Sequence, residues 1–419
     1  MDNPVARPIT LLMQDADILI TGGSLNGASL ALALAGAGLR VTVIDALSQD
    51  AQLEPAFDGR SYALAHASVQ MLRVLGLWDA LADTAQPILG IKVSDGRAGE
   101  APSPFVLEFD HAELEEGPMG QMVEDRHLRR VLLNALGETP GVTHLPGRRV
   151  MSQEIKPLGA RLVLDDGTEL SAPLLVGADG RQGPTGPRAG IKRHVKSYGQ
   201  TALVCALSHE HPHDGIAHQY FMPAGPLAIL PLKGNRCSIV WSESEAQAKA
   251  INALPEAEYL QVLRPRFGDF LGRFELAGAR YTYPLTLTWA ERFATDRVAL
   301  VGDAARGLHP IAGQGLNAGL RDMAALAEIV AQAHRRGEDI GRADVLERYT
   351  RWRRFDSVAL AAAMDGFNRI FSNDNPLMRL GRDLGMGVVN AVPSLRRAAM
   401  RNAAGLAGDR PRLLRGLQI

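Results

Sequence analysis

The stretch ADILITGGSLNGASLALALAGAGLRVTVID, residues 16–45, confines the chain to folds that contain a βαβ unit. ADILIT is a short apolar run of the kind buried on both faces of a sheet. GGSLNG supplies a turn, ASLALALAGAGLR is rich in strong helix formers and stops at Gly36 and Gly38, and VTVID resumes as a second strand. Gly22 allows the tight bend and Gly27 lets helix and strand pack closely, while the amides at the helix N-terminus suit a pyrophosphate. Asp45, ending the second strand, is placed to accept hydrogen bonds from a ribose hydroxyl. Ser24 stands where this fingerprint usually carries its second glycine, so a plain tight turn is the alternative. Ser24 also falls near a G-x-S-x-G nucleophile elbow, but Asn26 takes the last glycine position and no evident His and acid follow.

At 419 residues the chain exceeds what one hydrophobic core usually serves, so two lobes are expected. Its 45 basic and 46 acidic side chains leave no field that would gather nucleic acid, and no nucleic-acid partner is expected. Cys205 and Cys237 are the only cysteines, which supports neither a disulfide framework nor a zinc knuckle. The opening MDNPVARPITLLMQD lacks the pattern of a secretory signal, and no apolar run reaches the roughly 18 residues of a membrane span. A cytoplasmic location is the expectation.

Further along, residues 66–82 and 125–136 read as helices, LVLDDGTEL at 162–170 as a hairpin, and APLLVGADG at 172–180 as another buried strand. QTALVCAL, GPLAILPL, RCSIVWS and YTYPLTLTW form a β-rich stretch from about 198 to 289, interrupted by a helical segment near 243–273. Residues 318–336 and 342–371 read as long helices. With no internal repeat and no low-complexity linker, the lobes are expected to interleave.

RVALVGDAARGLHPIAGQGLNAGLRD, residues 297–322, reads as a buried strand, a polar loop and a glycine-opened helix. Gly302 and Asp303 end the strand, where a carboxylate can accept bonds from polyol hydroxyls. Pro310 stiffens the loop, Gly313 and Gly315 leave room for a flat ring, and the helix from about Leu316 and Asn317 aims its positive end at that ring. The alternative is a loop capped by Asp303 and Asn317.

These motifs, together with FDGRSYAL around Arg60, QMVEDRHLRRVL around Arg126, LLVGADGR around Asp179, GQTALVCAL and GPLAILPL, resemble the group A flavoprotein monooxygenases, and within them the ubiquinone-biosynthesis hydroxylases. The resemblance covers nearly the whole chain. It implies an α/β fold like that of para-hydroxybenzoate hydroxylase: a Rossmann-like FAD-binding lobe (14–85, 120–190 and 290–335), an interleaved antiparallel-sheet substrate lobe (86–119 and 191–289) and a C-terminal helical region (336–419). It also implies that Arg60 and Arg126 contact FAD, that Asp179 belongs to the cofactor site, that Asp303 holds the ribityl chain and that Pro310 to Asn317 cradle the isoalloxazine. The implied reaction is hydroxylation of a prenylated phenol by O2 through a flavin 4a-hydroperoxide, with NAD(P)H as a transient reductant. A soluble aromatic substrate and a flavin-binding accessory subunit are the alternatives.

The chain departs from the family pattern in DGRQGPTGPR, where Gly183 and Gly186 replace the usual Ser and Arg, and at Arg306, where His is usual. Arg181 or Arg188 is the candidate to compensate. HEHPHD at 209–214 offers His209, His211, His213 and Asp214 as metal ligands, but Pro212 breaks regular geometry and a surface turn is expected. His309 is a candidate flavin neighbour or a loop hydrogen-bonder. The segment 379–419, with eight Arg against two Asp, reads as a helical face packed on the protein or as a basic amphipathic contact to a membrane or a biosynthetic complex.

Overall fold

The computed structural model describes residues 16–54, 59–99, 106–308, 314–353 and 385–419. The first sheet has six strands in the order β19 (Ala294–Thr295), β20 (Val298–Leu300), β12 (Leu174–Gly177), β1 (Ile18–Thr21), β2 (Val41–Asp45) and β8 (Val142–Pro146). All its pairings are parallel except β19 with β20. Every residue of β1, β2, β12 and β20 is buried, which is why these strands read as unbroken apolar runs.

Helix α1 (Leu25–Gly36) follows β1 directly, and its Leu and Ala side chains are buried along nearly its whole length. It ends at Gly38, whose φ of +90° favours glycine. The short α2 (Gln49–Gln52) is capped by Ser48. Helices α3 (His66–Val74), α4 (Asp79–Ala82), α5 (Asp125–Glu138) and α9 (Gln314–Arg335) surround α1 and share one core with the first sheet. The stretch read as one helix over 66–82 is broken by a turn at Gly76.

A second sheet carries β21 (Arg306–Gly307), β18 (Tyr281–Ala290), β13 (Arg193–His209), β16 (Arg236–Ser244), β15 (Gly225–Leu232), β14 (Ile216–Met222), β5 (Gly90–Asp95) and β6 (Leu107–Asp110), with β17 (Phe274–Leu276) also paired to β13. It is antiparallel apart from β14 with β5. One face packs on α7 (Glu245–Asn252) and α8 (Glu256–Phe267) through Leu203, Cys205, Trp241 and Leu263. The opposite face, through Ala206, Ala217 and Leu232, meets Met119 and Met122.

Two small sheets complete the fold: β3 (Ser61–Ala65), β7 (Gly120–Glu124) and β4 (Gln86–Ile88), and the hairpin β10 (Gly159–Leu164) and β11 (Glu169–Ala172) extended by β9 (Val150–Lys156). The short α6 is Thr185–Arg188. Helices α10 (343–353), α11 (385–391) and α12 (Pro393–Ala403) follow α9; beyond residue 353 the helix expected to 371 lies outside the described residues.

The lobe boundaries drawn from sequence are crossed in three places. β4 pairs with β7, on the other side of the expected break at residue 86, because Gln86 and Ile88 bond to Met122 and Gly120. β21 leaves the flavin-side segment to join β18 of the substrate-side sheet. The C-terminal segment packs on both lobes: Met400 and Ala404 enter the core against Met119 and Ala217, while Leu413 and Leu414 enter the core around α1.

Candidate flavin site

Three segments converge at the N-terminus of α1. Gly22 has φ +95°, and a Cβ there would lie 2.5 Å from the carbonyl oxygen of Ala178. A Cβ on Gly27 would lie 1.8 Å from the Gly22 oxygen, so the first turn of α1 rests directly on the glycine bend. Ser24, the N-cap, is exposed in extended conformation and makes no side-chain cap, leaving the helix start open to solvent. Asp45 is buried beside this turn: its carboxylate accepts from the Gly23 amide at 2.6 Å and the Leu47 amide at 2.8 Å.

The strand β20 leads into Gly302, with φ +59°. A Cβ there would lie 2.4 Å from the Asn26 amide nitrogen, and one on Gly319 would lie 2.6 Å from the Asn26 amide oxygen. Asn26 therefore joins the two glycine motifs, and its buried Oδ1 has no hydrogen-bond partner among the described residues. Next to Gly302, Asp303 accepts from Arg181 Nε at 2.9 Å, while Arg181 Nη2 donates to the Leu308 oxygen at 3.1 Å. Both side chains remain partly exposed, at 40% and 36%.

In α9 a Cβ on Gly315 would meet nothing within 4 Å among the described residues, which leaves room there for a flat group. Leu316 packs on the core. The Asn317 side chain bonds within the protein: its oxygen accepts from the Ala65 amide and Ser68 Oγ, and its nitrogen donates to the Ala63 oxygen, each at 2.8 Å. These bonds clamp α9 to β3 and α3. His309, Pro310 and Gly313 lie outside the described residues.

Arg60 and Arg126 meet because β3 and β7 are antiparallel neighbours, with Ser61 opposite Glu124. Arg60 pairs with the buried Asp125 at 3.1 Å and stays 43% exposed. Arg126 pairs with the buried Glu124 at 2.7 Å, and Arg236 of β16 takes the other oxygen of that carboxylate at 2.9 Å. Glu124 thus ties Arg126 to the second sheet.

Asp179 holds its own loop: Oδ2 accepts from the Thr185 amide at 3.0 Å and its hydroxyl at 2.7 Å. A Cβ on Gly183 would lie 2.0 Å from the Asp179 carboxyl carbon, so this glycine is the counterpart of that carboxylate position.

The turn, the two carboxylates and the open helix start suit a long dinucleotide. Asp45 bonds Gly23 of the turn, and Asn26 of the same turn reaches Gly302, the neighbour of Asp303, so these groups lie along one path. Residues 15–362 match the FAD binding domain family. Over 407 residues the sequence is 44% identical to ubiquinone hydroxylase UbiL of Rhodospirillum rubrum, spanning 96% of this chain and 94% of that one. The chain belongs to the FAD-binding ubiquinone hydroxylase family. It is also 34% identical to the 3-demethoxyubiquinol 3-hydroxylase of Escherichia coli, over 94% of this chain and 99% of the other. The fold is shared with p-nitrophenol 4-monooxygenase PnpA of Pseudomonas putida, with a TM-score of 0.78 and 20% identity over 94% of this chain and 98% of that one.

Within this family the Arg306 departure has a local explanation. Its side chain is buried and donates to the Ala318 oxygen at 3.1 Å and to Asp322 at 3.0 Å; Arg353 reaches the same Asp322 oxygen at 2.8 Å. Arg306 faces the core behind α9, over the Phe293 ring. Of the two arginines considered as compensation for Gly183 and Gly186, Arg181 reaches Asp303, whereas Arg188 donates to the oxygens of Val150 and Met151 and stands apart.

HEHPHD forms no cluster of ligands: His209 is buried and bonds the His211 oxygen, His213 bonds the Leu232 oxygen, and no group of three metal-ligating side chains exists among the described residues. Cys205 and Cys237 are free and buried. Among the described residues no helix is long and apolar enough to cross a membrane. Sequence reading passed over Asn26 and Glu124, because their partners are far away in the chain.

Proposed function

We propose that this enzyme is an FAD-dependent monooxygenase that hydroxylates the aromatic ring of a polyprenylated phenol in ubiquinone biosynthesis, with NAD(P)H as transient reductant. The carrying observation is the ordered run of Asp45, the Gly22–Gly27 turn, Asn26, Gly302 and Asp303, and the names of the relatives support the substrate class. In the overall reaction two electrons come from NAD(P)H, one atom of O2 enters the ring, and the other leaves as water with two protons. Bound FAD supplies the redox chemistry, and the protein holds and shields it.

In this reading the turn amides near Ser24 meet the pyrophosphate, Asp45 accepts from the adenosine ribose and Asp303 from the ribityl hydroxyls. Arg60 and Arg126, fixed on Asp125 and Glu124, contact the cofactor from the β3–β7 edge. Arg181, bonded to Asp303, is the cation assigned to an incoming nicotinamide nucleotide. The start of α9 favours negative charge on the ring edge of the reduced cofactor.

The same reading assigns a peripheral membrane contact to α11 and α12, where Val388, Val392 and Leu395 are exposed at 56%, 37% and 48% beside the exposed Arg397. Arg396 and Arg401 are held by Glu113 and Glu116, which lessens the basic character of this segment.

The test is purified protein carrying FAD, with NAD(P)H oxidation and a hydroxylated product measured for a prenylated phenol and for a small soluble phenol. Turnover only with the soluble phenol would replace the substrate class. A flavin-loaded protein that oxidises NAD(P)H with neither would favour an accessory subunit. Sedimentation with anionic vesicles, compared with Val388→Asp, tests the membrane contact.

A further inference from the structure

A cavity of about 430 Å³ opens between β14, β5 and the end of α8, on the α7–α8 face of the second sheet. Alternation along β14 fixes that side. Met222 and Tyr220 pack with Leu263 and Phe267, whereas Ala217 points the other way to Met119 and Met122. The cavity is therefore separated from the β3–β7 side, where Arg60 and Arg126 stand, by the thickness of the sheet.

Its wall is aromatic. The His218 ring lies 4.4 Å from Phe270 and 6.0 Å from Tyr220, and Phe270 stacks on Phe267 at 5.6 Å. Phe270 is 41% exposed, an apolar ring held toward the opening. Burial, with Lys92 nearby, pushes the His218 imidazole down to about 4, so it presents a neutral ring at neutral pH. Its Nδ1 is 3.4 Å from the Tyr220 hydroxyl. Lys92 and Arg97 stand at the rim. Lys92 is paired with the exposed Glu108, a contact that solvent weakens. Among the described residues the carboxylates that line it are Asp269, 90% exposed and turned to Arg264, and Asp214, also exposed.

A stack of neutral rings with cations at the mouth is complementary to a flat apolar body bearing one negative group. We propose that this cavity is a second ligand site, distinct from the flavin site, for an aromatic carboxylate of one or two rings. The ring lies against Phe270 and His218, and the carboxylate faces Lys92 and Arg97. The site does not depend on the reaction proposed above.

The experiment is calorimetric titration of the FAD-loaded protein with 2-naphthoate and with its neutral counterpart 2-naphthalenemethanol. Saturable one-to-one binding of 2-naphthoate is expected, weakened about tenfold or more by Phe270→Ala and by Lys92→Glu, with flavin content unchanged in both variants. The neutral compound is expected to bind about tenfold more weakly. No saturable binding would overturn the site. Binding unaffected by either variant would place the ligand elsewhere, and equal binding of the two compounds would overturn the assignment to an anion.

Discussion

The side-chain amide of Asn26 occupies the space that a Cβ on Gly302 would need, with 2.4 Å between the two positions. One residue from the first glycine turn thereby sets the height at which the second loop crosses α1. Gly302 also has φ +59°, which costs a side-chain-bearing residue about 1–2 kcal/mol. Gly302→Ala is expected to lower the urea midpoint and loosen FAD together. Asn26→Ala in the same chain should recover the part due to collision and leave the part due to backbone conformation. Equal midpoints for the single and double variants would show that the contact is not the cause.

Asp303 and Arg181 are both partly exposed, so their pair adds little to folding, about 1 kcal/mol or less. Asp303→Ala should leave the melting temperature nearly unchanged while removing acceptors for the cofactor's hydroxyls, worth on the order of 10- to 100-fold in FAD affinity. Arg181→Ala should retain FAD and raise KM for NAD(P)H. Unchanged flavin affinity in the Asp303 variant would contradict its assignment. An unchanged KM in the Arg181 variant would remove it from the nicotinamide path.

How much of this could be read beforehand depended on where each residue's partner lies. Gly22, Gly27 and Asp45 were legible because the turn, helix and second strand that define them lie within one βαβ unit. The strands of the second sheet were equally legible from their apolar runs. Arg306 was not, since its reason is Asp322 on the following helix together with Arg353, and a departure from a motif carries no direction. Gly183 is similar: the expected Ser would place its Cβ 2.0 Å from the Asp179 carboxyl carbon, a contact visible only once the loop closes on itself. Asn317 matched its motif in position, but its side chain is used on β3 and α3.

Asp322 is fully buried and bonded by two buried guanidinium groups, those of Arg306 and Arg353. Removing it leaves two cations without their shared partner. Asp322→Ala is expected to cost about 3–5 kcal/mol, measured by urea unfolding. The exposed pair Arg342–Asp344 provides the contrast: Asp344→Ala should leave the urea midpoint nearly unchanged. Similar losses in the two variants would mean that the triad adds nothing beyond a surface pair.

Acid should weaken the fold before its carboxylates titrate. Burial pushes His218 down to about 4 and also lowers His66, His127, His144 and His209 below the usual imidazole value. Between the folded value of about 4 and an unfolded value near 6.5, the unfolded chain binds more protons at His218, and the other four imidazoles act in the same direction. Stability therefore rises with pH through that window and is lost as pH falls from about 6.5 toward 4. His218 alone accounts for about 2 kcal/mol of this, allowing for its partial exposure. Unfolding midpoints at pH 7 and pH 5 should differ accordingly, and His218→Gln should flatten the slope by reducing the difference in proton uptake. A wild-type midpoint constant across that range, or a variant with the full wild-type slope, would show that His218 does not stay neutral in the folded protein.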